Sequence, residues 1–213
     1  MAEAATQQTP TEALIATLDL PQGGWSDAAR KDALSRLQQA GLPERRDEYW
    51  KYTRPDTLTQ PQAVSAAVRA SEDVALFDQI DRLKLVFVDG VFDADASDDL
   101  ALEGITIERL AQADADLHWA RDLYGTLEKN GQTPVARPLA ALNTAFAADG
   151  VLIHVTDKTS KPVNIVYRRT SETADVMLHN VIKLDAGAEF TLLENGPVAA
   201  RFNGVLEVEV GDN

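Results

Sequence analysis

Three histidines, His118, His154 and His179, are the side chains of this 213-residue chain best suited to general base work or nitrogen ligation near neutral pH. His118 stands beside Trp119, His154 alternates with Ile153 and Val155, and His179 lies in the β-rich run from Leu178 to Leu184. No two of them have the helical i, i+4 spacing or the tight strand spacing of a zinc site. If the C-terminal part is a repeat, His154 and His179 fall one repeat apart and could stack. A two-histidine metal site there would have to recruit Asp175 or Glu194. The plainer reading is isolated structural or surface histidines.

Other chemistry is scarce. The chain has no cysteine, which removes disulfides, thiolate metal sites and a cysteine nucleophile. It has no Gly-x-Ser-x-Gly elbow, no Ser-x-x-Lys arrangement, no Walker loop and no Gly-x-Gly-x-x-Gly fingerprint. Carboxylates are abundant, and carbohydrate enzymes built on β-helices use paired acids at matching positions of consecutive coils. Here Lys183, Glu189, Glu194, Glu207 and Glu209 show no repeated pairing. Their alternation with apolar residues reads as a solvated outer face. The run Asp93-Ala94-Asp95-Ala96-Ser97-Asp98-Asp99 lacks the central glycine and closing glutamate of a calcium loop, and reads as a solvated turn. The expectation is a chain without catalytic, cofactor-binding or metal residues, and not an enzyme.

Composition agrees with that class. With 45% hydrophobic and 25% charged residues the chain is ordinary globular material. No apolar run approaches the roughly 18–20 residues of a membrane-spanning helix. Met1 to Pro10 lacks the basic start and apolar stretch of a secretory signal, so a cytoplasmic location is expected. A formal charge of −14 disfavours nucleic acid, whose binding depends on Lys and Arg neutralising phosphates.

The elements divide the chain into an α+β arrangement. Residues 1–10 read as a disordered tail, with order beginning at the Thr9-Pro10-Thr11-Glu12 capping box. Residues 11–149 read as a mainly helical N-terminal domain. One helix carries Leu14, Ile15 and Leu18, and a second runs from Ser26 to the stop at Gly41. Then come Tyr49, Trp50 and Tyr52 among charges of both signs, which predicts a connector packed on a core; a ligand cage is the sharper alternative. A hairpin is expected near 84–92, with Asp89-Gly90 as its turn, and a strand near 105–107. Leu117, Ala120, Tyr124 and Leu127 fall at helical spacing, and Pro138 leads a further helix to Phe146. Residues 150–213 change to short β-rich runs with turn-rich links: Val151 to Thr156, Val163 to Arg168, Leu178 to Leu184, Glu189 to Glu194 and Val205 to Val210. Alternate runs recur every 25–28 residues or so, which predicts the first coils of a parallel β-helix, each covering its neighbour's apolar face.

Several of these segments, in this order, resemble the SufB/SufD family. They are Gly41-Leu42-Pro43 with Arg45-Arg46-Asp47-Glu48, then Trp50-Lys51-Tyr52-Thr53, then Leu85-Val86-Phe87-Val88-Asp89-Gly90-Val91-Phe92. Pro138-Leu139-Ala140-Ala141-Leu142-Asn143-Thr144-Ala145 is similar to the family's Pro-Phe-x-x-Leu-Asn-Thr-Ala helix, with Leu139 in place of Phe. The hairpin and this helix lean to the SufD-like branch, and the resemblance runs from about Ala33 to the C-terminus. It implies a right-handed β-helix after a helical region with a small β-hairpin. It also implies a non-catalytic scaffold role in the SUF machinery that assembles iron–sulfur clusters, with SufB and the SufC ATPase as partners. The cysteine and histidine thought important in the family lie in later coils and map to no residue here, so no cofactor is expected on this chain. A carbohydrate-active β-helix enzyme, its acids converging on one coil face, is the rival reading. The run ends near a third coil, so Leu206, Val208 and Val210 are expected on an open strand edge, available to a partner or to a second copy.

Overall fold

The computed structural model describes residues 8–68, 76–113, 118–131 and 135–212, in a mixed α+β arrangement. Helix α1 (Pro10–Ile15) starts inside the stretch assigned to the tail, of which residues 1–7 lie outside the described ones. Its capping box closes as the sequence predicts: the Thr9 hydroxyl accepts from the Glu12 N–H at 3.2 Å, and the Thr9 N–H donates back to the Glu12 carboxylate at 2.8 Å. Helix α2 (Asp27–Ala40) runs from Ser26 to Gly41, and α3 (Asp56–Thr59) is a single turn. Strand β1 (Leu83–Val88) turns back into β2 (Val91–Phe92) through Asp89 and Gly90, both at positive φ, as an Asp-Gly hairpin turn requires. Strand β3 (Ile105–Arg109) follows.

The helix expected around Ala120, Tyr124 and Leu127 is instead two short pieces, a 3-10 turn at Trp119–Asp122 and α4 (Thr126–Asn130); Leu117 lies outside the described residues. Between them Gly125 has φ +72, a left-handed conformation that breaks a continuous helix. Helix α5 (Pro138–Phe146) has its proline at the first position, where no N–H is needed. Strands β4 (Val151–Val155), β5 (Val163–Arg168), β6 (Asp175–Leu184), β7 (Leu192–Asn195) and β8 (Arg201–Val210) complete the fold.

The strands form two four-stranded mixed sheets, ordered β2-β1-β5-β7 and β3-β4-β6-β8. From β4 onward the chain alternates between the sheets, and β6, β7 and β8 each pair in parallel with the strand two places earlier. Both sheets draw strands from either side of Gly150, since β1 pairs with β5 and β3 with β4. Leu85, Phe87, Ile153, Ile165 and Ile182 fill the space between the sheets, while the helices pack elsewhere around Leu14, Leu37, Leu142 and Phe146. The parallel pairings are offset by 29 residues for Leu152 with Val181 and for Val163 with Leu192, just beyond the expected 25–28, and by 26 for Asp175 with Arg201, inside it. Among the described residues no helix is long and apolar enough to cross a membrane.

Candidate functional site

Strand β8 is the last strand of its sheet, so among the described residues the side away from β6 has no strand partner. Its even positions lie on the same pleat face as the buried Ile182 and half-buried Leu184 of β6, which pair with Val208 and Val210. On β6 that face is core: Ile182 is 2% exposed. On β8 it is uncovered, with Leu206 46%, Val208 42% and Val210 66% exposed. Phe202 continues the stripe. An uncovered apolar strand with free backbone groups is suited to pairing with another chain segment, not to chemistry.

The odd face of the same strand is the opposite case. Glu207 was expected on a solvated face, and it is buried. Its carboxylate accepts from the Gly125 N–H at 2.6 Å, from the Glu128 N–H at 2.7 Å and lies 2.8 Å from His179 Nε2. These two N–H groups open α4, whose N-cap is Gly125 and has no side-chain oxygen of its own. Glu207 therefore supplies the helix cap from a strand some eighty residues later in the chain. Gly125 is needed on two counts: its φ is left-handed, and a Cβ there would lie 2.7 Å from Thr144 Cγ2.

Around this cap a polar junction joins helices to sheet. Arg36 from α2 grips Glu128 through two bonds at 3.1 and 2.9 Å, and the Thr144 hydroxyl donates to the same carboxylate at 3.1 Å. The Tyr124 hydroxyl donates to the Thr144 carbonyl, and its ring lies 4.1 Å from that of His179. Arg30 sits over the Tyr124 ring and donates to the carbonyls of Ala145 and Ala147. Asn143 donates to the carbonyls of Leu178 and Asn203, tying α5 to β6 and β8. The Leu-Asn-Thr-Ala segment is thus the clasp between the helical layer and the second sheet.

His179 is fully buried, and desolvation pushes its pKa below the usual histidine value, against the opposing pull of the Glu207 hydrogen bond. Its Nδ1 has no hydrogen-bond partner. A second N–H at that atom would be a buried orphan donor, so the geometry favours the neutral ring with its proton on Nε2, donated to Glu207. Tyr124 is likewise held protonated by burial. Such a sealed group has no path to a substrate.

The other expected residues are separated. His154 pairs in register with Lys183 rather than stacking on His179, and its Nε2 lies 2.9 Å from Asp185. His118 caps Ala120 and stacks on Trp25. Asp175 is bound by Arg201, and Glu194 accepts from the Tyr167 hydroxyl at 2.6 Å. Among the described residues no cluster of three or more His, Asp or Glu could hold a metal. Asp93 and Asp98 spend their carboxylates on backbone N–H groups of Ala96 and Lys84, closing the turn beside β1. The alternation of Glu207 with Leu206 and Val208 hid its role, because parity separates two faces but does not say which one a helix will cover. One usable signal was Gly125 before Thr126-Leu127-Glu128, a helix start with no local acceptor.

Comparison with known proteins gives two findings. Residues 22–165 match the SufBD protein N-terminal region. The iron–sulfur cluster assembly protein SufD of Escherichia coli (strain K12) is 31% identical over 180 residues, covering 76% of this chain and 37% of that protein. The chain thus spans well under half the length of that curated relative.

Proposed function

Since this chain belongs to the SufB/SufD family, we propose that it is a non-catalytic, SufD-like scaffold element of the SUF machinery for iron–sulfur cluster assembly. The similarity to the Escherichia coli SufD protein carries this reading. On it, β4 to β8 are the opening coils of a right-handed parallel β-helix, in a cytoplasmic complex with SufB and the SufC ATPase. The alternation of successive strands between two parallel-paired sheets supports the coil reading. The open β8 edge is its pairing surface, and in isolated protein a second copy takes that edge.

The carbohydrate-enzyme reading loses its support. It needs acids converging in one groove, whereas Asp175, Glu194 and Glu207 are each committed to a separate structural partner. The test is a chimera in which this chain replaces the matching part of Escherichia coli SufD, co-expressed with SufB and SufC. Co-purification of all three, with restored iron–sulfur enzyme activity in a strain lacking SufD, is the expected result. A folded chimera that stays out of the complex would sink the proposal. Hydrolysis of a polysaccharide panel by the chain itself would favour the rival.

A further inference from the structure

The segment after α2 is built to be seen from outside. Pro43 and Pro55 are buried, and every residue from 44 to 54 is exposed except Trp50, which is half-buried. The segment is nevertheless ordered. The Asp47 N–H donates to the Glu44 carbonyl at 3.0 Å, Trp50 to Asp47 at 2.9 Å and Thr53 to Trp50 at 3.1 Å, while the Glu44 N–H donates to the Asp47 carboxylate at 2.8 Å. These bonds present Tyr49 at 59% and Tyr52 at 91% exposure. The expectation that this aromatic cluster packs a connector on the core therefore fails for both tyrosines.

Charge makes the segment stand out further. Elsewhere many cations are matched, among them Lys31 with Asp27, Arg36 with Glu128, Arg109 with Asp149, Lys158 with Glu189 and Arg201 with Asp175, and the described ones without an ion pair, such as Lys84, Arg121, Arg168 and Arg169, are not gathered with exposed aromatics in one segment. Among the described residues Arg45, Arg46, Lys51 and Arg54 are in no ion pair, and Lys51 lies over the Tyr52 ring. They outnumber the acids of the same segment, Glu44, Asp47 and Glu48, on a chain whose net charge is −14. Beside them, Tyr49 and Trp50 face the run from Ala136 to Ala140 across a hollow of about 370 Å³, with Arg137 over the Tyr49 ring. That volume falls in the range of small-ligand pockets. Exposed Tyr and a half-buried Trp beside Arg match the composition of protein-binding hot spots.

We propose that residues 44–54 and the hollow beside them form a docking surface for an acidic segment of a partner protein, anchored by one large apolar side chain in the hollow. The unpaired cations steer and hold the acids, and the tyrosines with Trp50 bury the anchor. The proposal does not depend on the SUF reading.

The test uses the whole 213-residue chain and a fluorescein-labelled probe peptide of glutamates flanking a leucine–phenylalanine pair, followed by fluorescence anisotropy. The same peptide with lysines for glutamates is the charge control. The acidic probe should bind, lose affinity as salt rises, and weaken about tenfold or more in Arg45→Glu/Arg46→Glu and in Tyr49→Ala. Thermal unfolding should be unchanged in these variants because the replaced side chains are exposed. Failure of the acidic probe to bind, equal binding of the lysine probe, or wild-type affinity in both variants would overturn the proposal.

Discussion

At the scale of single residues, Glu207 and His179 make the sharpest demands. Glu207→Ala removes the cap from two N–H groups and the acceptor from a buried imidazole. Each buried donor left without an acceptor costs about 1–3 kcal/mol, and urea titration of unfolding should show a loss of at least that size. The pH dependence has a definite sign. His179 binds its proton less readily when folded, so folding is favoured fully above the unfolded value of 6.5 and loses ground as pH falls below it. Stability measured from pH 7.5 to 5 should decline, and His179→Gln should flatten that decline; an unchanged slope would reject the buried neutral ring. Asp89 acts in a different window. The Thr170 hydroxyl is the largest cause holding its carboxyl below the usual 3.8, so its contribution fades only at pH values below that.

Among the elements, α4 is the dependent one. Five residues with a glycine N-cap cannot hold a helix alone in water. It exists because β8 reaches it with Glu207 and α2 reaches it with Arg36. Gly125→Ala should cost about 1–3 kcal/mol, and hydrogen exchange should show α4 opening well before α5. Thr9→Ala offers a contrast, since α1 is capped locally. It should cost about 1 kcal/mol and leave exchange in α4 and the sheets untouched. The β8 edge behaves differently again. Leu206→Lys with Val208→Lys should leave the unfolding midpoint nearly unchanged, because both side chains are already exposed. Sedimentation velocity at rising concentration should show self-association of the wild type and a monomeric double variant.

At the scale of the whole molecule, the two sheets share one apolar interior, and the helical layer is bolted to one of them through buried polar groups. A purely apolar contact would let the helices slide. Asn143, Glu128 and Glu207 allow one docking position, because any other would strand buried donors and acceptors. Unfolding should therefore couple the helices to β6 and β8. Circular dichroism and tryptophan fluorescence should report one coincident transition, Trp25 being buried beside Tyr124. Glu207→Ala should separate the two signals.

Much of this protein was legible from local signals alone. The Thr9 capping box, the α2 boundaries at Ser26 and Gly41, the Asp89-Gly90 hairpin turn, the Pro138 helix and all five later strands depend on residues adjacent in the chain. So does the family resemblance, which rests on short ordered motifs. The tertiary structure alone decided the strand register, which put Lys183 rather than His179 beside His154, and the fate of each strand face. Alternation can say that Glu207 and Leu206 point opposite ways. It cannot say that a helix from residues 126–130 will close over the glutamate while the leucine stays bare. That outcome depends on contacts between residues some eighty positions apart, where local propensity carries no information and only the satisfaction of buried donors and acceptors selects the answer.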